Sequence, residues 1–168
     1  ILKILMIQPT GDKYGHYGAN FCNTAQELAK LGNKVTIYTN SLRPDFFLDT
    51  EPLFEVQLYK KGRLKFKPYE INKNKSPFKY WFNYFIFSFV ITFNGLKYAI
   101  NKKIKKIYIS DSEFLMASIA LFLIPRNSLS VLMQVNASNF SFKQYPGSIL
   151  KKFYKSFQSI IFSFATKR

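Results

Sequence analysis

Three glycines and the only histidine of the chain lie close together after its first apolar run: Gly11, Gly15, His16 and Gly18. Glycines let the backbone approach a ligand, and the N-terminus of a following helix favours anions. The spacing is not G-x-G-x-x-G, so a dinucleotide fingerprint is absent. A plain strand-to-helix turn with a surface histidine is the alternative. We predict a substrate-binding loop over residues 9–18.

Two further polar residues, Asp111 and Asn136, follow apolar runs later in the chain. Asp111 can contact a ligand or serve as the N-cap of the next helix. The neutral amide of Asn136 can orient a hydroxyl or a phosphate, but it cannot act as a general base near neutral pH. With one His, one Cys and nine acidic residues in 168, no metal-ligand cluster is visible, and we expect neither a metal nor a cofactor. Cys22 fits a helix core and a reducing compartment.

Alternating strand and helix patterns predict the elements that would position these residues. The expected strands cover residues 2–8, 34–39, 54–59, 106–110 and 129–135, and the expected helices cover 19–31, 77–103, 113–124 and 146–165. Such alternation is typical of an α/β fold with a doubly wound, mostly parallel sheet. We expect the strands at 2–8, 34–39, 106–110 and 129–135 to be neighbours. The loop 9–18, Asp111 and Asn136 would then open onto one cleft at the carboxyl ends of the strands.

Several segments resemble family 4-like glycosyltransferases. KILMIQPTGDKYGHYGANFCNTAQELAKLGNKVTIYTN resembles their opening strand, Gly-Gly loop, helix and second strand, with His16 in place of the second glycine and Asn33 where the family often has His. KIYISDSEFLMASIALFLI resembles the next block, a strand ending in a short polar pair followed by an Ala-rich helix. VLMQVNAS resembles the strand that often ends in His, a place held here by Asn136.

The resemblance implies a fold and a function. Residues 1–168 would form one Rossmann-like N-terminal domain of a GT-B glycosyltransferase, truncated before the donor-binding C-terminal domain. This half would bind a saccharide or lipid-linked acceptor, and the other half would bind the nucleotide sugar, in bacterial cell-surface polysaccharide biosynthesis. The full-length protein is expected to be an enzyme and the fragment alone to be inactive. No catalytic base carries over, because Asn136 replaces the His.

The net charge of +16 favours a polyanionic partner. A basic stretch over 60–79 precedes an uncharged aromatic segment over 80–96, which is typical of a membrane interface. We predict peripheral attachment to the anionic inner face of the cell membrane, on the cytoplasmic side, without spanning. The alternatives are a basic α/β nucleic-acid-binding module and a non-catalytic, membrane-associated subunit of a split glycosyltransferase. Because no nucleic-acid motif is present, nucleic acid is not the expected partner. A genome-wide bias towards lysine would explain the positive charge nearly as well as a polyanionic partner does.

Overall fold

The computed structural model describes residues 1–8, 16–62, 77–109 and 130–133, together with Ile119, Leu123 and Ile160. Five strands form one sheet in the order β3-β2-β1-β4-β5, and all four pairings are parallel. In chain order the elements are β1 (Lys3–Ile7), α1 (His16–Lys30), β2 (Lys34–Thr39), β3 (Glu55–Leu58), α2 (Pro77–Asn101), β4 (Lys106–Ile109) and β5 (Ser130–Met133). The α/β class is confirmed, and so is the side-by-side arrangement of β2, β1, β4 and β5.

Each face of the sheet buries its own hydrophobic cluster, and we call the two the α1 cluster and the α2 cluster after the helices that cover them. On one face, α1 contributes Phe21, Cys22 and Ala25, which pack with Met6 of β1 and with side chains of β2. On the other face, α2 supplies its own apolar residues, which pack with side chains of β1, β2 and β4: Phe87, Ile91, Leu96 and Ala99 against Leu5, Ile7, Tyr38, Ile107 and Ile109. Successive strand residues point to opposite faces, so β1 is apolar on both, as its continuous run indicated.

Helix α1 ends where the sequence placed its stop. Gly32 has φ +82°, and its N–H donates to Ala29 O over 2.9 Å, as expected for a glycine that closes a helix. The amide of Asn33 donates to Leu28 O over 3.0 Å, and its Oδ1 accepts from Leu2 N over 3.3 Å. Asn33 therefore caps α1 and ties it to the start of β1.

Close contact between α2 and the sheet depends on one glycine. A Cβ built on Gly95 would lie 2.8 Å from Ile7 Cδ1 and 3.1 Å from Tyr38 Cδ1. Since Ile7 is fully buried and the Tyr38 ring packs 5.4 Å from the Tyr98 ring, neither side chain has free space to retreat into. Gly95 thus sets the distance at which α2 crosses the ends of β1 and β2.

Two predicted helices, 113–124 and 146–165, lie outside the described residues except for helical positions at Ile119 and Ile160 and a turn at Leu123. Within the described part of the chain, no helix has both the length and the apolar character needed to cross a membrane.

Candidate functional site at the carboxyl edge of the sheet

Parallel pairing brings the carboxyl ends of all five strands to one edge, which we call the carboxyl edge; the opposite edge is the amino edge. In open α/β sheets, ligands bind in the crevice outside this edge. β1 ends at Ile7, and the next helix begins at His16, so the glycine-rich segment leads from the carboxyl edge to the N-terminus of α1. The neighbouring strands β4 and β5 end at Ile109 and Met133, shortly before Asp111 and Asn136 in the sequence.

The structure describes two of the six predicted site residues. His16 and Gly18 lie in the first turn of α1, and the expectation that they belong to the preceding loop is wrong. The helix starts three residues earlier than the predicted residue 19. The N–H groups of its first turn have no acceptors within the helix. The same groups can donate to an anionic or hydroxyl-bearing ligand. Gly11, Gly15, Asp111 and Asn136 lie outside the described residues, so their shared cleft stays a prediction.

Sequence reasoning missed a set of buried polar side chains associated with this edge. Gln8 directly follows β1, its N–H donates to Tyr38 O over 3.0 Å, and its side chain is buried. Asn40 directly follows β2 and is also buried. The sequence signal for them was an amide residue directly after a strand pattern, Gln8 after β1 and Asn40 after β2. Residues at the carboxyl ends of strands lie next to the crevice where ligands bind.

Helix α2 adds two buried hydroxyls, those of Ser88 and Thr92, one turn apart on the face that also carries Gly95. Among the residues that the structure describes, Ser88 Oγ, Thr92 Oγ1 and Gln8 Oε1 have no hydrogen-bond partner. A buried polar group without a partner costs about 1–3 kcal/mol. The i, i+4 spacing of Ser88 and Thr92 within an uncharged helix was the sequence signal that they share a face.

By contrast, the buried Gln26 of α1 is fully engaged. Its Nε2 donates to Glu51 O over 3.0 Å, and its Oε1 accepts from Leu53 N over 2.8 Å. These bonds hold the segment before β3 against α1. Gln26 is therefore a structural residue.

Two titratable side chains of the buried clusters, Tyr38 and Cys22, stay neutral at physiological pH. Burial, with smaller contributions from Tyr59 and Tyr98, raises the pKa of Tyr38 to about 12. Burial alone raises the pKa of the Cys22 thiol to about 11, which leaves it unreactive inside the α1 cluster. No group of three His, Cys, Asp or Glu side chains suited to a metal occurs in the described ranges. Besides the exposed Lys60 and Lys61 that follow β3, the described part of the edge contains neutral amides and hydroxyls, which bind by hydrogen bonding.

Comparison of the chain with models of protein families, with curated proteins and with solved structures finds no match.

Proposed function

We propose that this chain is the acceptor-binding half of a glycosyltransferase of the GT-B type, with a Rossmann-like fold. The observation that carries the proposal is the strand order β3-β2-β1-β4-β5, all parallel, with a helix packed on each face. In sheets of this order the crevice lies where the order reverses, next to β1 and β4. β1 and β4 end at that point, at Ile7 and Ile109, and the glycine-rich segment and Asp111 follow them in the sequence.

The neutral polar character of the edge fits a saccharide acceptor. Sugar hydroxyls exchange hydrogen bonds with amides and hydroxyls, and Gln8, Ser88 and Thr92, all buried in this structure, carry such groups without partners among the described residues. The nucleotide sugar would be held by a second domain, on the same polypeptide or on a separate chain. The reaction then takes place between the two halves, because transfer requires both reactants held in line.

In this proposal the protein works at the inner face of the bacterial cell membrane, in cell-surface polysaccharide biosynthesis. Its substrates are a nucleotide sugar and a saccharide or lipid-linked acceptor. A basic nucleic-acid-binding module is the rival function. Stacking on successive bases needs several exposed aromatic rings, whereas Phe21, Phe54 and Phe87 are buried in the two clusters and Phe82 is the only exposed phenylalanine among the side chains that the structure describes.

The test is sugar transfer by the full-length protein carrying His16→Ala, with release of the nucleoside diphosphate as the readout. We expect the acceptor KM to rise about tenfold, the cost of one lost hydrogen bond to the acceptor, while the nucleotide-sugar KM stays unchanged. Glu27→Ala is the matched control. Glu27 lies three turns further along α1 than His16. Both side chains of its ion pair with Lys30 are more than half exposed, so loss of that ion pair has little effect on stability.

Two outcomes would contradict the proposal. An increase confined to the nucleotide-sugar KM would place the donor at α1. Failure to transfer any sugar, together with salt-sensitive binding of single-stranded RNA or DNA, would favour the nucleic-acid module.

A further inference from the structure

The first half of α2 extends beyond the sheet. The helix has 25 residues, so it is about 37 Å long, whereas the five residues of β1 span about 17 Å. Gly95 crosses over Ile7, the last residue of β1, and α2 leads into β4 at the amino edge. About 27 Å of helix therefore lies on the N-terminal side of Gly95, directed past the carboxyl edge.

Burial along α2 follows this geometry. From Phe87 onward, one side of the helix is packed in the core, whereas no described side chain before Phe87 is buried. Two large apolar side chains one turn apart stand out in this first half: Phe82 is 54% exposed and Ile86 is 44% exposed. Lys79 is exposed one turn before Phe82. We call Lys79, Phe82 and Ile86 the projecting face of α2.

A second basic feature lies at the same edge and on the same side of the sheet. The turn Tyr59–Gly62 follows β3 at the carboxyl edge, and Tyr59 packs against the α2 cluster. Lys60 and Lys61 in this turn are exposed, and both have left-handed backbone conformations, with φ 42° and 56°. Because the left-handed region is unfavourable for a residue with a Cβ, the turn places two consecutive exposed lysines at this edge at a cost in backbone energy. Lys60 Nζ lies 5.5 Å from the centroid of the Tyr59 ring.

Among the described residues, the exposed charges on the α2 side of this edge are basic. Helix α2 contains no acidic residue, and the described acids near the carboxyl edge, Asp45 and Asp49, belong to the segment that packs on the α1 side. Apolar side chains flanked by exposed lysines, with no described carboxylate on the same side, match the requirements of an anionic bilayer surface.

We propose that the projecting face of α2 and the Lys60–Lys61 turn together dock on an anionic lipid bilayer and bring the carboxyl edge of the sheet towards it. A site held in this orientation faces the plane in which a lipid-linked acceptor lies, so the acceptor is lipid-linked and not a free saccharide. This last step rests on the proposed function. The docking itself is independent of sugar transfer.

The test is flotation of the full-length protein with vesicles of phosphatidylglycerol and phosphatidylcholine, or of phosphatidylcholine alone, at low and high salt. Phe82→Ser with Ile86→Ser is expected to lower the partition coefficient on anionic vesicles at least tenfold, because the apolar anchor is lost. Lys60→Gln with Lys61→Gln is expected to lower it about 25-fold at low salt, since each lysine near an anionic surface contributes about fivefold.

The controls are exposed positions of the same residue classes at the amino edge. Leu31 and Ile100 are 78% and 37% exposed, and Leu31→Ser with Ile100→Ser should leave binding unchanged. Lys102→Gln with Lys103→Gln is the control for the Lys60 and Lys61 pair. The backbone conformation is partly matched too, because Lys103 also has a positive φ of 55°. Near-native circular dichroism for all four pairs excludes misfolding as the cause.

Equal losses in the control pairs would overturn the proposal, because they would show a charge effect without a defined surface. Absence of binding to anionic vesicles, or binding that high salt does not release, would also overturn it. Transfer to a soluble saccharide as efficient as transfer to a lipid-linked one would overturn the lipid-linked acceptor and leave the proposed function intact. Intact docking without any transfer would reject the proposed function and leave the docking surface standing.

Discussion

Replacing Gly95 with leucine is expected to lower the free energy of unfolding by more than about 3 kcal/mol, because a larger side chain overpacks the contact between α2 and the sheet. Even the first added atom, Cβ, meets Ile7 Cδ1 at 2.8 Å. The only relief is movement of α2 away from β1 and β2, which would expose the α2 cluster. Urea unfolding followed by circular dichroism measures the change, and Lys97→Leu, at an exposed position of the same helix, should change stability by less than about 1 kcal/mol.

A double-mutant cycle identifies the cause. Gly95→Ala removes part of its own cost by raising helix propensity by about 1 kcal/mol, so its net effect is smaller. Ile7→Val removes Cδ1, the nearest atom to the new Cβ. We expect Gly95→Ala to be better tolerated in the Ile7→Val background, with a coupling of about 0.5–3 kcal/mol. Strict additivity would contradict the close approach of α2.

Two buried threonines are expected to respond in opposite directions to the same substitution. Thr92→Val should raise the free energy of unfolding by about 1 kcal/mol, because it removes a hydroxyl that has no partner among the described residues. Thr39→Val should lower it by about 1 kcal/mol, because Thr39 Oγ1 donates to Ser41 O over 3.3 Å. Both threonines are fully buried, and valine has nearly the same shape.

Thermal or urea unfolding of the two variants, without ligand, decides this point. A loss of stability in Thr92→Val would contradict the expectation and would show that the hydroxyl is already hydrogen-bonded. If the variant is more stable but binds the saccharide acceptor more weakly, Thr92 was retained for binding at a cost in stability.

The sequence was most informative where local patterns were strong. The apolar run of β1, the strand pattern at residues 106–110 and Gly32 after α1 each predicted an element whose existence and approximate bounds are confirmed. The parallel neighbours followed from the crossover connections, since a strand, helix and strand unit of this kind pairs in parallel. The outer position of β3 next to β2 did not follow, because its four residues alternate without a pattern that selects a partner.

The buried polar side chains could not be predicted in the same way. Ser88 and Thr92 lie in a segment whose overall hydropathy hides them, and their burial depends on how closely Gly95 lets α2 approach the sheet. Such long-range packing is set by tertiary contacts and not by a local period. The start of α1 at His16 was missed for a local reason, because glycine at position 18 is a poor helix former whose cost the first turn of a helix tolerates.

Whether this chain supplies the acceptor side of a sugar-transfer reaction is tested most directly by following a labelled nucleotide sugar with the 168-residue chain alone and with a donor-binding domain added. We expect the chain alone to bind a lipid-linked saccharide without consuming the nucleotide sugar, and labelled product to form only when both halves are present. Turnover of the nucleotide sugar by the chain alone would contradict the proposed acceptor-binding role.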